Sequence, residues 1–155
     1  MPRVAESWMG HTWADAPAAV SPRVVSAQYC QRPAWGRTGR HVHALWVLDY
    51  ARTDCGLVRV GSAHARWRRR PARSTHLYAP GTPFWEDTRG RAGALREAWV
   101  IFAAPSGAGL ERLLDRRHRF ARIADPAGRL DAPLRRAAQA GQTRGEGGFW
   151  RAQAA

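Results

Sequence analysis

His41-Val-His-Ala-Leu-Trp-Val-Leu-Asp-Tyr50 is the stretch of sequence that decides the fold. Its side chains alternate, which on a β-strand separates them into two faces, Val42, Ala44, Trp46, Leu48 and Tyr50 on one and His41, His43, Leu45, Val47 and Asp49 on the other. Both faces are mostly apolar in the middle, as is typical of a strand covered on both sides. The stretch therefore predicts a central strand of a β-rich core.

Further short strands are predicted on either side of this one. Segments of strand-like composition, bounded by Gly, Pro or Asp, occupy residues 24–30, 57–60, 63–68, 75–78 and 96–102. Gly61-Ser62 predicts a tight hairpin turn between the second and third of these segments. Many short strands at this spacing indicate a β-sandwich or barrel.

After Gly107 the pattern changes to that of helices. Leu110, Leu113 and Leu114 form an apolar stripe at helical spacing. A second helix is predicted to begin at Asp131, with a proline in its first turn, and to end at Gly141. A third is expected from Glu146 onward.

Length and composition indicate one globular domain. The chain has 155 residues, 45% of them hydrophobic, and no apolar stretch approaches the ~20 residues that a membrane span needs. The N-terminus lacks the continuous apolar segment of a secretory signal, and the two cysteines form no paired motif. We therefore expect a cytoplasmic protein without membrane contact.

The charge of the chain is strongly positive. Its formal net charge is +13, and all 25 basic residues are arginines, with neither lysine nor asparagine present. This composition suggests the codon bias of a GC-rich genome, so the charge is weak evidence for direct nucleic-acid binding. The densest positive run, residues 66–73, is interpreted as a solvated loop, with attraction of an anionic effector or of DNA phosphate as alternatives.

Four pieces of the sequence, in order, resemble the N-terminal arabinose-binding-like domain of AraC-family transcription regulators. They are Arg32-Pro33, the segment from Gly56 to Gly61, Tyr78-Ala-Pro-Gly-Thr-Pro-Phe-Trp and Glu97-Ala-Trp-Val-Ile-Phe. The resemblance implies a mainly β fold, a cupin-type double-stranded β-helix (jelly-roll barrel), followed by two to three C-terminal α-helices. It also implies a non-enzymatic sensor that binds a small polar effector, with a sugar as the candidate, and needs no cofactor.

The resemblance divides the chain into two parts. Residues 1–105 are expected to form the effector-binding barrel with an N-terminal arm, and residues 106–155 a helical linker and dimerisation segment that breaks off in its third helix. The family's DNA-binding helix-turn-helix domain does not fit in these residues, so we expect it beyond Ala155, with a stand-alone sensor as the alternative. DNA contact would run through that domain, and a homodimer is expected.

The resemblance also assigns three ligand-binding residues. Arg32 matches the arginine that hydrogen-bonds a sugar effector, and its guanidinium can hold two hydroxyls or a carboxylate at once. Trp99 matches the tryptophan that packs against the sugar ring, and Glu86 falls at a further ligand position. A surface arginine and a core tryptophan are the structural alternatives.

Three further residues are candidates for the pocket. Strand periodicity places Glu97 on the same face as Trp99, and a carboxylate buried there would need a partner such as Arg32 or a ligand hydroxyl. Trp46 and Tyr78, from other strands, are candidate pocket walls, with core packing as the alternative.

A metal-dependent cupin enzyme is the alternative function. His41-x-His43 matches the opening of the cupin metal motif, which needs three or four converging ligands. No glutamate follows in that strand, and Phe84 stands where a further histidine is required. We therefore predict neither a metal site nor catalytic residues, and interpret both histidines as ordinary strand residues.

Overall fold

The computed structural model describes residues 22–34, 36–91 and 93–140, together with Arg151 and Ala154. In chain order the elements are β1 (Arg23–Arg32), β2 (Trp46–Ala51), β3 (Leu57–Val60), β4 (Arg68–Arg69), β5 (Ser74–Tyr78), β6 (Phe84–Asp87), β7 (Leu95–Ala103), a 3-10 turn (Leu110–Leu113), β8 (Phe120–Ala124) and helix α1 (Asp131–Ala140). No described helix is long and apolar enough to span a membrane.

The strands form two antiparallel sheets. The large sheet has the order β1-β7-β2-β5-β8, and the small sheet has the order β4-β3-β6. Their facing sides meet in one apolar cluster, to which the large sheet contributes Val47, Tyr78 and Phe120, and the small sheet Val58, Val60 and Phe84. Burial of these side chains between the sheets is the main force that holds the sandwich together.

The outer side of the large sheet is covered by α1. Leu134 and Ala138 of the helix pack against Tyr29, Tyr50 and Ala98 of the sheet. The helix begins at Asp131, as the sequence predicts, and that carboxylate accepts a 2.8 Å hydrogen bond from Arg52 Nε. This explains why the outer face of the central strand β2 is apolar, with Leu48 and Tyr50 packed in the same cluster.

The predicted strands at residues 24–30, 57–60, 75–78 and 96–102 are confirmed within β1, β3, β5 and β7. The stretch that opens at His41 is a strand only from Trp46 onward, and His41 forms an isolated bridge with Phe84. Strand β6 was not predicted, because it has only four residues and directly follows Pro83, a residue that is rare inside strands.

The prediction of a strand at residues 63–68 is wrong. Pairing with β3 is limited to the two residues Arg68–Arg69, and residues 61–64 are exposed. This segment places no large apolar side chain in the core, so burial does not favour its pairing.

The prediction of two to three C-terminal helices also needs correction. Within the described ranges there is one α-helix, and the leucine stripe at 110–114 forms only a 3-10 turn. Residues 120–124 are strand β8, because Phe120 enters the core and the edge of β5 supplies hydrogen-bond partners. The helix expected from Glu146 lies outside the described residues, apart from Arg151 and Ala154.

Candidate functional site

A polar row crosses the inner face of the large sheet. Gln28 of β1 lies opposite Trp99 of β7, which lies opposite Asp49 of β2. Asp49 in turn lies opposite His76 of β5, which pairs with Arg122 of β8. Because directly paired residues project to the same face, these five side chains form one line, called the polar row below.

The polar row shares Asp49 with a group of buried charged side chains, called the charge cluster below: Arg32, Asp49, Arg70, Glu86 and Glu97. Arg32 donates from Nε to Glu97 and from Nη2 to Glu86 Oε2 at 3.2 Å. The cluster thus links β1, β2, β6 and β7, and joins the two sheets.

Arg70 is the centre of the charge cluster. Its side chain is wholly buried, and Nη2 donates to both carboxylate oxygens of Asp49, at 2.7 and 2.6 Å. Nη1 donates to Glu86 Oε1 at 2.6 Å, and Nη2 lies 3.5 Å from Glu97 Oε2. One guanidinium therefore contacts all three carboxyl groups.

The backbone around Gly56 fixes the position of Arg70. The Arg70 amide donates to the Gly56 carbonyl, and the Cys55 amide donates to the Arg70 carbonyl. Gly56 has a φ of 86°, and a Cβ at this position would lie 2.4 Å from the carbonyl oxygen of Asp87. Glycine is therefore required where the loop passes β6.

Negative charge exceeds positive charge in the charge cluster. Three carboxyl groups face two guanidinium groups, so full ionisation would leave one uncompensated negative charge in the interior. Burial raises the pKa of Asp49 to about 7, despite the opposing attraction of Arg70. Burial alone would lower the pKa of Arg70, but Asp49 and Glu86 outweigh it and hold that pKa well above its usual value.

His76 and Tyr78 bring unpartnered polar atoms to the same interior. Both ring nitrogens of His76 and the hydroxyl of Tyr78 are buried and have no hydrogen-bond partner among the described residues. Burial, with Arg70 and Arg122 nearby, lowers the pKa of His76 to about 3, so the ring is neutral. Buried polar groups almost always have partners, so this interior is suited to accept a polar molecule.

The structure brings together three of the residues predicted to bind the ligand. Arg32, Glu86 and Glu97 are in direct contact, as the expectation of a partner for Glu97 requires. Tyr78 borders the cluster on the inner face, where its ring stacks on Phe84 at a centroid distance of 4.4 Å.

The two predicted tryptophans lie on opposite faces. Trp99 belongs to the polar row and is partly exposed. Trp46 is on the outer face, packed with Leu77 and Ala121, so it is not brought together with the other candidates.

Sequence reasoning missed Asp49, Arg70 and His76. Asp49 interrupts its strand as an isolated polar residue, which is a signal that could have identified it, whereas His76 follows Ser74 and Thr75 and gives no such signal. Arg70 lies in the run at 66–73 that was interpreted as solvated. That interpretation is correct for Arg66, Arg68, Arg69 and Arg73, which are exposed, and wrong for Arg70, because only the tertiary fold brings carboxylates to it.

The two histidines of the metal motif lie apart from the charge cluster. The rings of His41 and His43 stack on Phe84, at centroid distances of 5.1 and 6.0 Å. In the part of the chain that the structure describes, no group of three or more His, Cys, Asp or Glu side chains is arranged to hold a metal ion.

Comparison with known proteins defines the class of fold. No protein-family model and no curated protein matches the chain. It is similar to the solved structure of YhaK from Escherichia coli (10% identity, TM-score 0.50, 78% of this chain). It is also similar to the bacterial pirin YhhW from Escherichia coli, solved in complex with nickel(II) (14% identity, TM-score 0.50, 79% of this chain).

A cupin domain from Bordetella pertussis Tohama I matches 62% of this chain and 99% of its own length, at 13% identity and a TM-score of 0.40. The chain spans about half the length of the two Escherichia coli proteins, 51% and 56%. At these identities the likeness is one of fold alone. The mainly β fold expected from the sequence is confirmed, with its strands in two antiparallel sheets.

Proposed function

We propose that this chain is the effector-binding domain of an AraC-type transcription regulator, and that its interior binds a small polar molecule without transforming it. The observation that carries the proposal is the pair His76 and Tyr78, whose buried polar atoms have no partner among the described residues. A bound molecule that hydrogen-bonds to these atoms recovers the free energy that their burial costs.

The charge cluster provides a route from ligand to regulation. Two of its ion pairs, Arg32–Glu86 and Arg70–Asp49, join the two sheets, so a ligand that competes for one of them changes how the sheets pack. Helix α1 packs on the outer face of β1 and β7, directly behind Glu97 and Trp99. Coupling then needs only that the effector bind two arrangements of these elements with different affinity. DNA binding through a further C-terminal domain, and a homodimer, belong to the same proposal.

The test is thermal unfolding of the purified chain with a panel of sugars, sugar acids, amino acids and amines at millimolar concentration. A true ligand present at ~100 times its dissociation constant adds about 2.7 kcal/mol to the free energy of unfolding. At least one compound is expected to raise Tm by a corresponding amount.

His76→Phe is the decisive variant. It removes two unpartnered ring nitrogens while keeping an aromatic ring that can stack on Tyr78, so it should raise Tm and abolish the shift caused by the ligand. Thr75→Val is the matched control, because it removes a buried unpartnered hydroxyl on the opposite face of the same strand. A ligand shift that survives His76→Phe would contradict the proposal.

A metal-dependent cupin enzyme is the alternative, and one observation favours it. His41 Nε2 is buried and has no hydrogen-bond partner in the described part of the chain. Elemental analysis of the purified protein distinguishes the two functions, because stoichiometric iron, manganese or zinc would support the enzyme.

A further inference from the structure

We infer that the ligand of the polar row is a small organic monocation, whose ammonium or guanidinium group compensates the unbalanced negative charge of the charge cluster. This inference rests on the proposed effector-binding function and names the chemical class of the effector.

The first step of the inference is the charge balance. Asp49, Glu86 and Glu97 face only Arg32 and Arg70, and all five residues are buried. Both guanidinium groups already donate to protein carboxylates, so an anion would have to compete with these carboxylates. An anionic ligand would add a second uncompensated charge to the interior, whereas a monocation makes the cluster neutral.

The second step is the position of Asp49 between two aromatic rings. On one side it pairs with Trp99, and on the other with His76. Directly opposite residues have Cβ atoms about 4.5–5.5 Å apart, so one small cation can contact Asp49 and the face of the Trp99 ring together. Trp99 and Gln28 are partly exposed, which makes their side of the row the route to solvent.

The third step is the set of hydrogen-bonding atoms that remain unpartnered. Gln28 Oε1 can only accept, the neutral ring of His76 has one accepting and one donating nitrogen, and the Tyr78 hydroxyl can accept or donate; these atoms are buried without partners among the described residues, as is the donor Arg70 Nε. An ammonium or guanidinium group has donors only. These acceptors and the charge balance are independent observations that favour the same ligand class.

The positive charge of the whole chain does not oppose this binding strongly. The Arg122 side chain at the end of the row is exposed, as are the arginines of residues 66–69. Exposed charges are screened over about 8 Å at physiological salt, whereas the buried charge imbalance is screened much less.

Binding is coupled to release of a proton. In the absence of ligand the cluster reaches neutrality with a proton on the Asp49 carboxyl group, which faces Arg70, Glu86, Glu97 and His76. The cation replaces that proton, so that the carboxylic acid and the free cation give a carboxylate–cation pair and one proton in the buffer. No bond other than the O–H bond is broken.

The experiment compares cations with uncharged molecules of the same shape. Ethylammonium is compared with ethanol and methylguanidinium with N-methylurea, with acetate as the anion, by calorimetry and thermal unfolding. The two cations are expected to bind at least about tenfold more tightly than their uncharged counterparts. Asp49→Asn should remove this preference, while Asp115→Asn, which changes an exposed carboxylate paired with His118, should leave it unchanged.

A measurement on the unaltered protein makes the test independent of how the variants fold. Calorimetry of the bound cation in buffers of different ionisation enthalpy should show about one proton released near pH 6 and almost none near pH 8.5. Tight binding of a neutral sugar with no cation bound would overturn the inference and leave the proposed function intact. Binding of none of the compounds of either panel would count against both.

Discussion

The protonation state of the Asp49 carboxyl group depends on the residues that the fold brings around it rather than on its neighbours in the chain. On its face of β2, Asp49 lies between Val47 and Ala51. Its carboxylate accepts hydrogen bonds from Arg70, which lies in a loop 21 residues further along the chain. Burial raises the pKa of its carboxyl group to about 7, from an ordinary value of 3.8. Between these two values the folded chain keeps a proton on Asp49 that the unfolded chain loses.

This difference predicts how stability changes with pH. Because the folded state binds the extra proton, the contribution of Asp49 is complete below about pH 4 and is lost as the pH rises to about 7. Compared with Asp49→Asn, the unaltered chain should lose about 1.4 kcal/mol of unfolding free energy per pH unit in that range. Urea denaturation of both proteins from about pH 4.5 to about pH 8 measures the difference.

Comparing these two proteins cancels the contribution of His76. The low pKa of that ring makes the fold less stable as the pH falls below about 6.5, equally in both proteins. Asp115→Asn is the control, because the pKa of the Asp115 carboxyl group is lowered by its hydrogen bond to His118. A pH-independent difference between the unaltered chain and Asp49→Asn would show that Asp49 carries no proton.

Arg70 is the second residue whose role can be tested directly. Arg70→Met keeps the aliphatic part of the side chain but leaves Asp49 and Glu86 without their common partner. We expect a loss of about 3–5 kcal/mol in the free energy of unfolding, because uncompensated buried charges are strongly destabilising. Arg69→Met, next in the chain and exposed, should change stability by no more than about 0.5 kcal/mol. Equal effects of the two variants would contradict the central position of Arg70.

At the scale of elements, β7 organises the molecule. It lies between β1 and β2 in the large sheet, with Glu97 and Trp99 on its inner face and Ala98 on its outer face. One strand therefore contacts the charge cluster on one side and α1 on the other. A rearrangement of the inner face can reach the helix within the thickness of a single sheet.

Helix α1 depends on this contact for its stability. Ten residues are too few for an isolated helix to be stable in water, so its apolar face must supply the free energy. Leu134→Ala should cost about 2–5 kcal/mol and lower the melting temperature. Gln139→Ala, on the exposed side of the same helix, should have almost no effect. If the two variants behave alike in chemical denaturation, α1 is not docked on the sheet.

At the scale of the whole molecule, the arginines divide into two classes. Arg32 and Arg70 are buried in ion pairs, whereas the other described arginines are exposed or partly exposed and give the surface its positive charge. The net charge of +13 therefore describes the surface more than the candidate site.

This distribution predicts weak and unspecific association with DNA. Phosphate contacts made by scattered surface arginines release counterions, so retardation of DNA by the chain should be independent of sequence at about 50 mM salt. It should disappear by about 200 mM salt. Electrophoretic retardation of two unrelated duplexes measures both properties, and sequence-specific retardation that persists at high salt would make this chain itself a DNA reader.

The sequence alone determined the β class of the fold and most of its strands. Strand periodicity depends only on which residues alternate, so β1, β3, β5 and β7 were readable from local pattern. The same periodicity placed Glu97 and Trp99 on one face and predicted that Glu97 needs a partner. Arg32 was found through the family resemblance, and the structure brings it to that partner.

The tertiary structure alone decided the rest. Phe120 became part of a strand because β5 offered an edge and the core offered space, although its surroundings had been predicted to be helical. Arg70 entered the interior because three carboxylates from distant segments converge on it, and no local pattern records that convergence. Local sequence sets the periodicity of a strand, but the charge balance of an interior is a sum over segments that only folding brings together.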